Sequence, residues 1–299
     1  MLDSPLIGSW LTRISLSCFA LSYAVALILE ISRLFFQIRI RSVAIFAMMI
    51  AGLFTHSTYL WLKFQADFAG GTPLASWYDW CLVVSLALAV TYTVVALQKA
   101  QQSVGIFFLP IILCLILFAL TIQDRAPFSA RDAVSVWAVT HGVSLLAGTV
   151  AMAVAFAAGV MYLIQAGRLK RKIPPRAGFR LPSLEWLERC NRRSLFSATA
   201  LIMIGLFSGI LMNLGSPEAV ANNIPWTDLV VVSSAILLIW LLTLSVFEMV
   251  YKPARQGRKI AYLTLASFVF LLMVLGLAIL SQHAEQSAAV VVLKSGGGI

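Results

Sequence analysis

The sequence predicts an all-α, polytopic membrane protein: a bundle of eight transmembrane helices with both termini outside the cytoplasm. Three observations predict it. Hydrophobic residues make up 61% of the chain and charged residues only 11%, against roughly 25% charged in a soluble domain. The apolar residues fall in eight continuous runs separated by polar segments. The basic residues then crowd into alternate connections, with 17 of 22 Lys and Arg following the first, third, fifth and seventh runs.

The runs are Ile14–Ile31, Val43–Leu62, Cys81–Leu97, Val104–Ile122, Val134–Ile164, Leu195–Leu214, Leu229–Val250 and Ile260–Leu280. A hydrocarbon core of about 30 Å needs about 20 residues of helix. The third run is short for this and the fifth is long. Continuity of the runs excludes an alternating, barrel-type strand pattern. In lipid each helix satisfies its own backbone groups.

By the positive-inside rule, the basic connections are cytoplasmic. The opposite side carries only Arg13, Lys63, Arg125, Arg131 and Lys294, with eight of the 12 acidic residues. The net charge of +10 is therefore a topology signal and requires no nucleic-acid partner. The start, Met1-Leu2-Asp3-Ser4-Pro5, lacks the basic n-region of a cleavable signal peptide. The whole of 1–299 reads as a single membrane domain. Its longest connection is a basic cytoplasmic loop over 167–193, with Pro174-Pro175 in an extended part. Ser183 then caps a short helix over Leu184–Arg189. This loop is a topology anchor that also suits anionic lipid headgroups.

Cys18, Cys81, Cys114 and Cys190 show no C-x-x-C and no zinc spacing. Cys18 and Cys81 are placed to pair, but isolated thiols in an apolar bundle are the plainer reading. Glu30 and Glu248, near the inner ends of spans one and seven, suggest pairing with Arg33 and Lys252, or a proton relay. Gly205-x-x-x-Gly209 reads as a helix-packing seam.

Only three histidines are present, and all fall toward the outer side. His56 lies about 9 Å below the outer end of span two by helix rise. An ionisable group there is a functional residue by default, or a neutral ring bonded to a neighbouring helix. His141 stands at the entrance to span five and His283 directly follows span eight. Two neutral imidazoles at one depth suit a bis-histidine haem iron. Trp77-Tyr78-Asp79-Trp80 and Pro225-Trp226-Thr227-Asp228 add aromatic and acidic groups. These read either as an interfacial belt or as walls for a flat macrocycle.

Several segments, in order, resemble the cytochrome c assembly family, the haem-handling membrane proteins called CcsA, CcmC and HemX-like. They are Leu53–Leu60 around His56, Thr72–Trp80, Thr140–Gly148 around His141, Leu181–Glu188, and Gln256–Ala261 leading to His283. The likeness covers about 45–285. Haem-delivering members carry two tryptophans before an aspartate, followed by Pro-Lys-Glu. Here Trp226 and Asp228 stand alone, followed by Leu229-Val230-Val231. The chain is thus closest to the HemX-like branch.

The resemblance implies a multi-pass protein of a bacterial-type plasma membrane that binds or handles haem at the outer face in cytochrome c biogenesis. His141 and His283 would be the axial ligands, Trp226 and Asp228 would flank the macrocycle, and His56 would be a second or supporting site. The implied partners are haem, apocytochrome c, a cytochrome c synthesis partner protein and the lipid bilayer. No catalytic residue is implied; at most the chain is a component of a haem lyase system. The competing expectation is a membrane regulatory or scaffold protein without haem chemistry. A transporter is disfavoured by the lack of an internal repeat or paired broken helices.

Overall fold

The structure, a computed structural model, describes residues 16–35, 40–69, 76–98, 102–122, 136–172, 179–215, 226–250 and 257–296, the side chains of 68–69 and 281–296 excepted. Every regular element among them is a helix: α1 (Leu16–Ser32), α2 (Arg41–Ala69), α3 (Trp77–Gln98), α4 (Gly105–Thr121), α5 (Val136–Lys170), α6 (Leu184–Gly215), α7 (Leu229–Val250) and α8 (Gly257–Gly296). One helix stands on each apolar run. Six of them, α2, α3, α5, α6, α7 and α8, are long and apolar enough to cross a membrane. The protein is therefore a multi-pass membrane protein. The remaining two, α1 and α4, are shorter apolar helices of 17 residues, about 25 Å at helix rise; α1 begins where the described residues begin. Residues 1–15 and 297–299, which bear on the sidedness of the termini, lie outside the described residues, as does Pro174-Pro175.

The differences from the apolar runs lie at helix ends. The third helix is not short, because Trp77-Tyr78-Asp79-Trp80 form its first turn. Ser76 starts it: its hydroxyl donates to Asp79 Oδ2 (2.8 Å) and accepts the Asp79 N–H (3.2 Å), a reciprocal cap. The second helix continues through Lys63 and Asp67 to Ala69. Lys63 Nζ stands 2.9 Å from Asp67 Oδ2 and 3.0 Å from the buried Asp79 Oδ1, so the charges are paired and need not end the helix. Leu184–Arg189 is not a separate short helix but the first turns of α6. Ser183 does cap it, accepting the Trp186 N–H at 3.4 Å. Finally, α8 continues past Leu280, which places His283 within the helix rather than after it. No disulfide joins the four cysteines.

The chain forms two compact units: Met1–Val134 with Val160–Arg189, and Ser135–Gly159 with Cys190–Ile299. In the first unit, α1 packs on α2, α2 on α3, α3 on α4 and α4 back on α1, closing a four-helix ring. Two glycines allow the closest approaches. A Cβ on Gly52 would stand 2.6 Å from Tyr23 Cε1, and one on Gly105 would stand 2.6 Å from the Tyr92 hydroxyl and 2.8 Å from Glu30 Cγ. Glu30 is 3% exposed. It accepts a hydrogen bond from the Tyr92 hydroxyl (3.0 Å) and faces Arg33 at 3.5 Å. The expected pairing of Glu30 with the nearby Arg33 is thus present.

In the second unit, Met152, Ala155, Leu195, Ala198, Ile202, Leu237, Leu241, Leu244, Leu271 and Val274 make one buried apolar core. Small polar groups stitch its helices: Trp240 Nε1 donates to Ser267 (2.8 Å), and Thr199 and Ser245 share a buried hydrogen bond (3.2 Å). The expected pairing of Glu248 with Lys252 lies outside the described residues. Glu248 faces Arg192 at 3.9 Å.

Candidate functional site

His141 is the most constrained of the sequence-derived site residues. It lies in the second turn of α5, and its Nδ1 stands 2.7 Å from the carbonyl oxygen of Gly205 in α6. A carbonyl only accepts, so Nδ1 must carry the proton. In the neutral ring, Nε2 then holds the lone pair. This is the tautomer of a histidine prepared to ligate a metal through Nε2, with a carbonyl fixing the ring from behind. The same Gly205 carbonyl also accepts from the Ser208 hydroxyl at 2.8 Å.

The Gly205-x-x-x-Gly209 seam explains how the ring fits. A Cβ on Gly209 would stand 2.8 Å from His141 Nδ1 and 2.9 Å from its Cε1. One on Gly205 would meet Leu145 Cδ2 at 2.6 Å, and Gly148 gives room in turn to Ile202. His141, Leu145 and Gly148 recur at i, i+4 and i+7, one face of a helix. That face runs along Gly209, Gly205 and Ile202. The seam read from the sequence as packing is therefore also the seat of a candidate ligand. Its spacing was legible; its partner was not, because a glycine pair does not name what fills its groove.

Asp228 has a different immediate task. Its Oδ1 accepts the backbone N–H of Val230 (2.7 Å) and of Val231 (3.4 Å). It is the N-cap of α7, and the signal for that was present: an aspartate directly before an apolar run. Replacing Asp228 with alanine is expected to destabilise the protein by about 1 kcal/mol, read as a lower unfolding midpoint; asparagine should restore most of it. Trp226, two residues earlier, is 54% exposed in the turn that leads into the cap, and it is positioned to meet lipid or a ligand. The side chain of His283 lies outside the described residues, so its approach to His141 does too. The backbone places His141, Trp226, Asp228 and His283 all in the second unit.

His56 belongs to the first unit and is far from the end of its helix. The helix runs thirteen residues beyond it to Ala69, about 20 Å along the axis. His56 is 0% exposed. Its ring stacks on Phe19 with centroids 4.1 Å apart and planes 2° apart, and Nδ1 shares a 3.3 Å hydrogen bond with the Tyr23 hydroxyl. Nε2 makes no hydrogen bond of good geometry within the described residues, although the backbone of Leu82 is near enough to act on the ring's charge.

His56 opens a polar column along one face of α2. Tyr59 follows at i+3, its hydroxyl 2.7 Å from that of Tyr78. Lys63 follows at i+7 and pairs with Asp79. Asp79 Oδ1 has no hydrogen bond of good geometry, yet the 3.0 Å approach of the ammonium satisfies it as an ion pair. Sequence reasoning missed this column, although His56, Tyr59 and Lys63 already share a helical face.

Among the described residues, no three His, Cys, Asp or Glu side chains converge as a metal-binding group; an axial haem ligand needs no such group. No protein-family model matches the chain, and no curated protein and no solved structure resembles it significantly.

Proposed function

We propose that this protein binds haem at the outer face of the membrane and holds it for cytochrome c biogenesis. The observation that carries the reading is the His141–Gly205 contact of 2.7 Å, which sets the tautomer that leaves Nε2 ready to ligate. His283 is proposed as the second axial ligand. Trp226 would lie against the macrocycle, with Asp228 at its edge and the bilayer around it. When bound, haem supplies the iron and the redox chemistry; the chain supplies orientation and electrostatics. Gly209 keeps the groove open for the imidazole, and Gly205 holds its proton on Nδ1. The basic ends of the helices would face the cytoplasm, with both termini opposite. Partners that present apocytochrome c would complete the activity.

Titration of the detergent-purified protein with haem tests the reading. The expected result is a saturable six-coordinate, low-spin spectrum, lost when His141 and His283 are both replaced by alanine. An unchanged spectrum in that double variant rejects the ligand assignment and leaves a membrane scaffold without haem chemistry.

A further inference from the structure

At one end of the first unit, a strap of chain is clasped against the α3–α4 turn. Ser103 N–H donates to the Arg180 carbonyl at 2.8 Å. From the other side, Arg33 Nη1 donates to the carbonyl of Gln102, the preceding residue, at 3.1 Å. Arg168, in the last turns of α5, donates to the Phe179 carbonyl (3.2 Å) and lays its guanidinium over the Phe179 ring, 5.1 Å from the centroid. Leu181 and Pro182 are buried beside it. Residues 179–183 are thus a docked segment and not a loose tether.

The docking gathers positive charge. Lys170, Arg171, Lys172 and Arg180 are all exposed around the strap, and Leu169 beside them is an exposed apolar residue. Lys172 has a φ of 52°, a left-handed turn that ends the run of bases there. No acidic side chain pairs with Lys170, Arg171 or Lys172 among the described residues. Glu30 is buried against Arg33 and Tyr92, and Glu185 already faces Arg189 at 3.3 Å; Glu188 is the one further acid among the described residues at this end. The bases follow directly on a helix that is long and apolar enough to span a membrane, which sets them at headgroup depth. A phosphate-bearing headgroup offers the missing charge, and its acyl chains suit the exposed Leu169.

We propose that this strap-built surface binds the headgroup of an anionic phospholipid. The full-length protein in a neutral detergent is heated with added dioleoylphosphatidylglycerol, dioleoylphosphatidylcholine, inorganic phosphate or a short oligonucleotide. Phosphatidylglycerol should raise the unfolding midpoint by several degrees more than phosphatidylcholine, and about 0.5 M salt should shrink the difference. The triple substitution Lys170→Gln, Arg171→Gln, Lys172→Gln should leave the midpoint in detergent alone unchanged, because all three side chains are exposed. It should weaken the apparent affinity for phosphatidylglycerol on the order of 100-fold. Equal responses to the two lipids, or a wild-type response in the triple variant, would overturn the proposal. So would inorganic phosphate reproducing the whole shift, which would mark a free-phosphate site, or the oligonucleotide acting where phosphatidylglycerol does not.

Discussion

Replacing Glu30 with alanine is expected to destabilise the four-helix first unit by about 3 kcal/mol, the lower end of the cost of breaking a buried ion pair. The carboxylate is 3% exposed. It is held by the Tyr92 hydroxyl and by Arg33, and the charge of Arg41 also acts on it. Without it, Arg33 loses the carboxylate it faces at 3.5 Å and the Tyr92 hydroxyl loses its acceptor. Arg33 keeps its bond to the Gln102 carbonyl, which is why the lower end applies. Glu30→Gln should fall between, since it keeps an acceptor for Tyr92 but no charge. Unfolding in graded detergent denaturant measures all three proteins; an alanine variant with the wild-type midpoint contradicts the assignment of Glu30 as the anion of this cluster.

Gly209→Ala carries the other large effect. The new Cβ meets the His141 ring at 2.8 Å, in a helix interface with no slack, and overpacking of this kind costs about 1–3 kcal/mol. The ring must turn or withdraw from the Gly205 carbonyl, and loss of such a support weakens a metal ligand roughly 10–100-fold. Gly148→Ala is the control. Its Cβ meets Ile202 Cγ1 at 2.9 Å on the same seam, away from His141 and the Gly205 carbonyl, so it should disturb packing while leaving the His141 ring in place. Haem affinity that falls equally in the two variants would show that the seam acts only through packing.

The eight helices were legible because a helix in lipid must be apolar along its whole length, and each run of the sequence is continuous. Their ends were less so. Lys63 and Asp67 look like the start of a loop, but α2 continues through them because Asp79 of another helix completes their charge balance. The start of α6 looks like a separate element because its polar turns precede the apolar run, yet no residue between Arg189 and Leu195 breaks the helix. Of the candidate site, His141 and Asp228 were identifiable by type and position. What each side chain does was not: the Gly205 carbonyl lies 64 residues from His141, and no local pattern announces it. The His56 column was hidden for the same reason, since Tyr23, Tyr78 and Asp79 come from other helices.

Iron ligation by His141 Nε2, as proposed, is tested by the absorption spectrum of haem-loaded His141→Ala with and without free imidazole. The low-spin spectrum is expected to be lost in the variant and to return when imidazole fills the vacated groove above Gly209, since imidazole replaces the ligand without altering the fold. A wild-type spectrum in His141→Ala before any imidazole is added would contradict this ligation.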